Sequence, residues 1–254
     1  MTISDDLKQT LISLADRYEV SSFCDQDPSQ FLRWYREPEF ERADVEAASF
    51  LAAMLAFGSR KQFIPKIRSV LEMADASCGS FSKWLKNRAF RKDFPQGEQK
   101  FYRFYSYDDL QIFFEEMADI LQDSQNFGDF FEEKWKLSSS DSQNLHSVVA
   151  AAFPRSKIVP KGKTSANKRI HMFLRWMVRQ NSPVDLGLWT WYSPANLLIP
   201  LDVHVMQEAV RLGLLPSNAP ASHRTALLLT EELAQVFPGD PCRADFSLFG
   251  LGVS

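Results

Sequence analysis

Apolar residues in this chain recur at helical spacing almost from end to end, and no stretch alternates convincingly as a strand does. That feature restricts the chain to helices packed on helices. Leu7, Leu11, Leu14 and Tyr18 open it with a helix. "ADVEAASFLAAMLAF", from Ala43 to Phe57, is apolar on several sides and predicts a buried helix stopped by Gly58. "RKQFIPKIRSVLEMA" predicts a second, entered near Pro65. Further helices are expected near 106–123, 127–136, 141–153, 166–180, 202–212, 222–236 and 241–250. Pro154, Pro160 and Gly162 mark 154–165 as a loop or hairpin. The expected architecture is all-α: a single two-lobed unit over 1–254, its lobes joined near 154–165.

Composition narrows the function classes. With 254 residues, 21 Phe and 6 Trp, the chain has material for a large core. A net charge of −3 argues against a surface coated in basic residues, though not against a local basic patch. Cys24, Cys78 and Cys242 are too scattered for a disulfide framework, a structural zinc or an iron–sulfur cluster, and suit a reducing cytoplasm. The polar, acidic start "MTISDDLKQT" does not read as a signal peptide, and no apolar run is long enough to predict a membrane span.

The most informative segment is "SANKRIHMFLRWMVRQ", Ser165 to Gln180. Ser165 is placed to cap a helix, and Ile170, Phe173, Leu174, Met177 and Val178 form its apolar face. Lys168, Arg175 and Arg179 fall in a stripe about 40° wide on the opposite side. From Pro154 to Gln180 the chain holds Arg155, Lys157, Lys161, Lys163, Lys168, Arg169, Arg175 and Arg179, and no Asp or Glu. Such a run is either a solvated helix face or a phosphate-binding surface. The absence of acids favours the second, because solvated faces mix signs. Lys168, in the first helical turn, is placed either to hold a phosphate or to act as a nucleophile. Asp202, in "IPLDVHV", precedes an apolar-periodic helix. It reads as an N-cap, and a fixed anion there also suits an oxocarbenium-like transition state.

Together "NKRIHMFLRWMVR" and "IPLDVHV" resemble the catalytic core of the helix-hairpin-helix DNA glycosylases, most closely the archaeal 8-oxoguanine glycosylase branch through an uncharacterised bacterial family. The resemblance extends over most of the chain, including the Ala-rich helix pair at 43–76 and the C-terminal "ADFSLFGLG". It implies a two-lobed helical fold with the active site in a cleft between lobes. It implies base-excision repair of an oxidised purine such as 8-oxoguanine, with AP lyase activity through a lysine Schiff base. Lys168 would be the nucleophile and Asp202 the catalytic carboxylate. Arg175, Asp245 and Phe249 would bind the base, although Phe249 also reads as plain core. Lys161, Lys163, Arg169, Arg179 and His204 would contact DNA. The partner would be double-stranded DNA with a damaged base, bound by a cytoplasmic monomer needing no metal or cofactor. Two features depart from the pattern. "VPKGKTSANK" holds one glycine where the superfamily has a glycine-rich hairpin, and the Lys168–Asp202 separation is longer than in most members, though similar to the archaeal branch. Two other classes also fit the sequence: a non-catalytic DNA- or RNA-binding protein on the same scaffold, and a helical interaction protein. The missing acids at 154–180 argue against the latter.

Overall fold

The computed structural model describes residues 3–138 and 144–253. Among these the α-helices are, in chain order, α1 (Asp5–Tyr18), α2 (Arg42–Leu55), α3 (Arg60–Cys78), α4 (Phe81–Lys86), α5 (Phe90–Asp93), α6 (Tyr107–Asp123), α7 (Phe127–Leu137), α8 (Leu145–Ala151), α9 (Lys168–Val178), α10 (Val203–Arg211), α11 (His223–Leu233) and α12 (Ala244–Val253). Short 3₁₀ turns fill several connections. The only sheet among the described residues is an antiparallel hairpin, β1 (Lys100–Tyr102) with β2 (Tyr105–Ser106). The chain is therefore mostly helical. Strands of three and two residues are too short to leave an alternating pattern, so the hairpin is a correction to the sequence expectation.

Several helix boundaries also differ, among them α12, expected at 241–250 and observed as Ala244–Val253. Pro65 lies inside α3 rather than at its entry. Its ring removes one N–H from the helical ladder, opposite the carbonyl of exposed Lys61, where water can serve instead. The helix expected at 141–153 is observed as α8, and residues 141–143 lie outside the described residues.

The chain divides into two compact units: Met1–Asp25 with Lys161–Ser254, and Gln26–Pro160. The second boundary falls inside the 154–165 segment. The first, which assigns α1 to the C-terminal half, carries no composition signal.

The 26–160 unit is built on rings. Phe50 of α2 stacks on Phe153 with centroids 4.8 Å apart and meets Phe113 of α6 and Phe127 of α7. Trp84, Phe90 and Phe94 surround Phe114. Three buried acids then satisfy backbone donors that this packing takes from water. Asp44 accepts from the Ser82 N–H (2.8 Å), Glu46 from Gly128 (2.8 Å), and Glu116 from Arg155 (2.7 Å) and Ser156 (3.0 Å). These acids hold the starts of α4 and α7 and the chain after α8 in place.

In the other unit, Leu11 and Ala15 of α1, Val205 and Ala209 of α10, Leu229 and Leu233 of α11, and Ala244 and Leu248 of α12 share one core. α12 lies close against both α1 and α10. A Cβ on Gly250 would collide with the Tyr18 ring, and one on Gly252 would come 2.9 Å from Cβ of His204. The Ser247 hydroxyl donates to the Leu11 carbonyl (2.7 Å). These contacts fix the helix that carries Asp245 and Phe249.

Candidate active site

α9 begins at Lys168, with Asn167 rather than Ser165 as its N-cap residue. Asn167 is left-handed (φ 45°, ψ 38°), a conformation asparagine tolerates better than serine. Its side-chain amide donates to the Gly162 carbonyl (2.9 Å), and its N–H donates to Ser165 Oγ (3.3 Å). The His223 N–H donates to the Thr164 carbonyl (2.8 Å), tying this turn to the start of α11. The turn thus aims the first residue of α9, which is Lys168.

Asp202 caps α10. Its Oδ1 accepts from the Val205 N–H (2.9 Å), while its Oδ2 lies 3.0 Å from Lys168 Nζ. The cap and the contact with Lys168 therefore use different oxygens. Buried Ile199 and Leu201 anchor the chain ahead of it, and the Ile199 N–H donates to Thr230 Oγ1 (3.1 Å). The Lys168 and Asp202 side chains are 32% and 15% exposed, so the pair is held by the fold yet open to a ligand.

α12 completes the neighbourhood. Lys168 Nζ lies 5.9 Å from the centroid of the half-buried Phe249 ring, and the ring of exposed His204 is 6.2 Å from it. One turn before Phe249, buried Asp245 pairs with Arg175. Burial pushes the Asp245 carboxyl up to about 6; the charges of Asp202 and Asp185 act in the same direction, while Arg175 and Lys168 oppose them. An acid that binds its proton more tightly folded than unfolded loses stability as pH rises between the two values. The stability of the Asp245→Asn variant relative to the parent is therefore expected to improve from about pH 4 to about pH 6 and level off above that. Paired denaturation curves across that range check this; a flat difference would contradict the buried placement of Asp245.

The remaining cations are arranged differently from the sequence expectation. Arg175, on a helix whose residues from Ile170 to Val178 are all buried, is 3% exposed, and Arg179, the residue that caps its C-terminal end, is 2% exposed. Arg175 sits between Asp245 and Asp185, at 3.2 Å from the latter, with its guanidinium 4.5 Å from the Phe246 ring. Arg179 pairs with Asp185 (2.5 Å), with Asp240 through two nitrogens (2.7 and 2.8 Å) and with Glu19 (2.9 Å). Burial still raises the Asp185 carboxyl despite both arginines. Arg179 is thus corrected from a DNA contact to the centre of a buried ion network, because its donors already serve carboxylates. Arg155 and Lys157 likewise pair with Glu116 and Asp119, and with Asp109. Of the expected DNA-binding cations, Lys161 and Lys163 are exposed, and Arg169 is half-buried in the first turn of α9.

Asp185, Asp240 and Glu19 were not singled out from the sequence. Asp185 lies six residues after Arg179, while Glu19 and Asp240 come from distant segments that nothing in one sequence links to α9. Replacing Arg179 by alanine would remove the cation these three carboxylates share, leaving Asp185 to Arg175 and Glu19 to Arg243 alone. That change is expected to cost about 3–5 kcal/mol in a denaturant titration; a loss below about 1 kcal/mol, the worth of an exposed pair, would contradict the network.

No helix among the described residues is long and apolar enough to cross a membrane. Neither a curated protein nor a solved structure matches the chain. A family match covers residues 27–254, from the first residues of the 26–160 unit through the Lys168–Asp202 pair and α12. The chain accordingly belongs to the family described as protein of unknown function (DUF2400).

Proposed function

We propose that this protein is a DNA glycosylase with AP lyase activity, excising an oxidised purine such as 8-oxoguanine from duplex DNA on a fold of the helix-hairpin-helix glycosylase type. The observation that carries this reading is the 3.0 Å approach of Lys168 Nζ to Asp202 Oδ2, an amine and a carboxylate presented by two helix starts. A nucleotide flipped out of the stack would bring its sugar to this pair. Asp202 would take a proton from the Lys168 ammonium, freeing the amine to attack, and pass it to the departing base; as a carboxylate again it would stabilise the positive charge that develops at C1′ as the glycosidic bond breaks. Lys168 Nζ would bond to C1′ as the base departs with the bonding electrons and a proton. The Nζ electron pair then opens the sugar ring, O4′ taking a proton released from Nζ by way of Asp202, and gives a protonated imine. That imine acidifies the C2′ hydrogen, whose removal expels the 3′ phosphate and cuts the strand.

Phe249 offers a ring beside the lysine for base stacking, and Asp245, one turn earlier on α12 and held by Arg175, offers a carboxyl group for the polar edge of the base. Exposed Lys161, Lys163 and His204, with Arg169, would hold phosphates. No metal or organic cofactor enters these steps. The test is base release and strand cleavage on a panel of duplexes, each with a single lesion. Release of an oxidised purine with nicking is expected. Duplex binding without release from any lesion would instead favour a non-catalytic nucleic-acid-binding protein.

A further inference from the structure

The β1–β2 hairpin leaves Phe104 59% exposed at its tip, in a turn where a polar residue would ordinarily sit. The ring is held in place. Its centroid lies 5.2 Å from Phe57 and 4.5 Å from Tyr105, and Lys100 Nζ donates to the Phe104 carbonyl (3.2 Å). The Tyr102 hydroxyl donates to the Phe57 carbonyl, which seats the hairpin on the connection between α2 and α3. That seat needs a glycine. Gly58 is left-handed (φ 81°), and a Cβ there would come 2.8 Å from both Tyr102 Oη and Arg103 Nη1. Arg103 itself takes φ 51°, which a glycine would adopt at lower cost, and its guanidinium lies 6.0 Å from the Phe57 ring.

The two segments that meet at the ring are rich in cations. Residues 58–66 and 99–107 carry Arg60, Lys61, Lys66, Lys100 and Arg103 and no Asp or Glu. Glu98 and Asp108 lie just outside the second, and Arg60 is paired with Asp27 (3.8 Å). Lys66 lies over the ring of buried Phe101, with Nζ 4.8 Å from its centroid. An exposed, braced aromatic ring among cations matches an unstacked base with its flanking phosphates. A single ring is too little apolar area for a stable protein partner.

We propose that this hairpin is a second nucleic-acid contact, with Phe104 stacking on an unpaired base while Lys100 and Arg103 meet the adjoining phosphates. It rests on the nucleic-acid part of the function proposed above and does not depend on Lys168 chemistry.

The test uses the intact chain and its Phe104→Ala, Phe104→Leu and Phe104→Trp variants. Affinity is measured for a labelled single strand, for a duplex with one unpaired 2-aminopurine, and for phosphatidylserine vesicles. Alanine and leucine should weaken both DNA complexes about tenfold or more, and tryptophan should restore them. Quenching of 2-aminopurine should be lost with alanine, while thermal melting stays unchanged because the ring is exposed. Alanine within about twofold of the parent on DNA would overturn the proposal, as would a dependence on Phe104 seen with vesicles alone. Borohydride trapping is read in parallel. Trapping with no dependence on Phe104 removes the hairpin contact and leaves the lyase function standing. Dependence on Phe104 without trapping supports the contact and removes the lyase function.

Discussion

Asp202→Asn is expected to slow base excision by roughly two to four orders of magnitude while changing stability by no more than about 1 kcal/mol. The two effects separate because the two oxygens of Asp202 do different things. Oδ1 accepts the Val205 N–H, and an asparagine carbonyl can do the same. Oδ2 faces Lys168, and an amide there brings no negative charge. A partly exposed ion pair contributes little to folding, so its loss is nearly silent in a melt. At a sugar carbon becoming cationic, the same charge acts where water has been displaced and is worth far more. Denaturation and single-turnover excision measured on one preparation check both halves. Excision at the parent rate would mean that Asp202 is only a cap.

Lys168→Gln should abolish strand cleavage and borohydride-dependent cross-linking while duplex binding persists. Glutamine keeps the length and polarity of the side chain at the first position of α9, where the helix is set by the Asn167 turn rather than by the lysine. Its amide nitrogen has no lone pair free for attack, so no imine can form. One phosphate-attracting charge is also lost, which lowers affinity modestly and makes its salt dependence shallower by about one contact at most. Binding lost altogether, with the fold intact, would make Lys168 a phosphate ligand instead.

What the sequence made legible was local. The period of α9, the start of α10 at Asp202 and the apolar stretch of α2 follow from spacing and capping chemistry within a few residues. The ordering of Lys168 and Asp202 at two helix starts was visible for the same reason. The charge of 154–180 is plain in the sequence, but its meaning at Arg175 and Arg179 is not. Their carboxylates lie at positions 19, 185, 240 and 245, so a run without acids was a run whose acids came from elsewhere. Asn167 was hidden because a left-handed residue ahead of a helix leaves no periodic trace. The assignment of α1 with α12 depends on close approach at Gly250, a contact between residues far apart in the chain.

The central claim is that Lys168 Nζ bonds covalently to the sugar. Borohydride reduction during reaction with a duplex carrying a single 8-oxoguanine, followed by peptide mapping of the cross-linked product, tests it most directly. The expected adduct is on the peptide containing Lys168 and vanishes in Lys168→Gln. An adduct on a different lysine, or base release with no adduct at all, would contradict it.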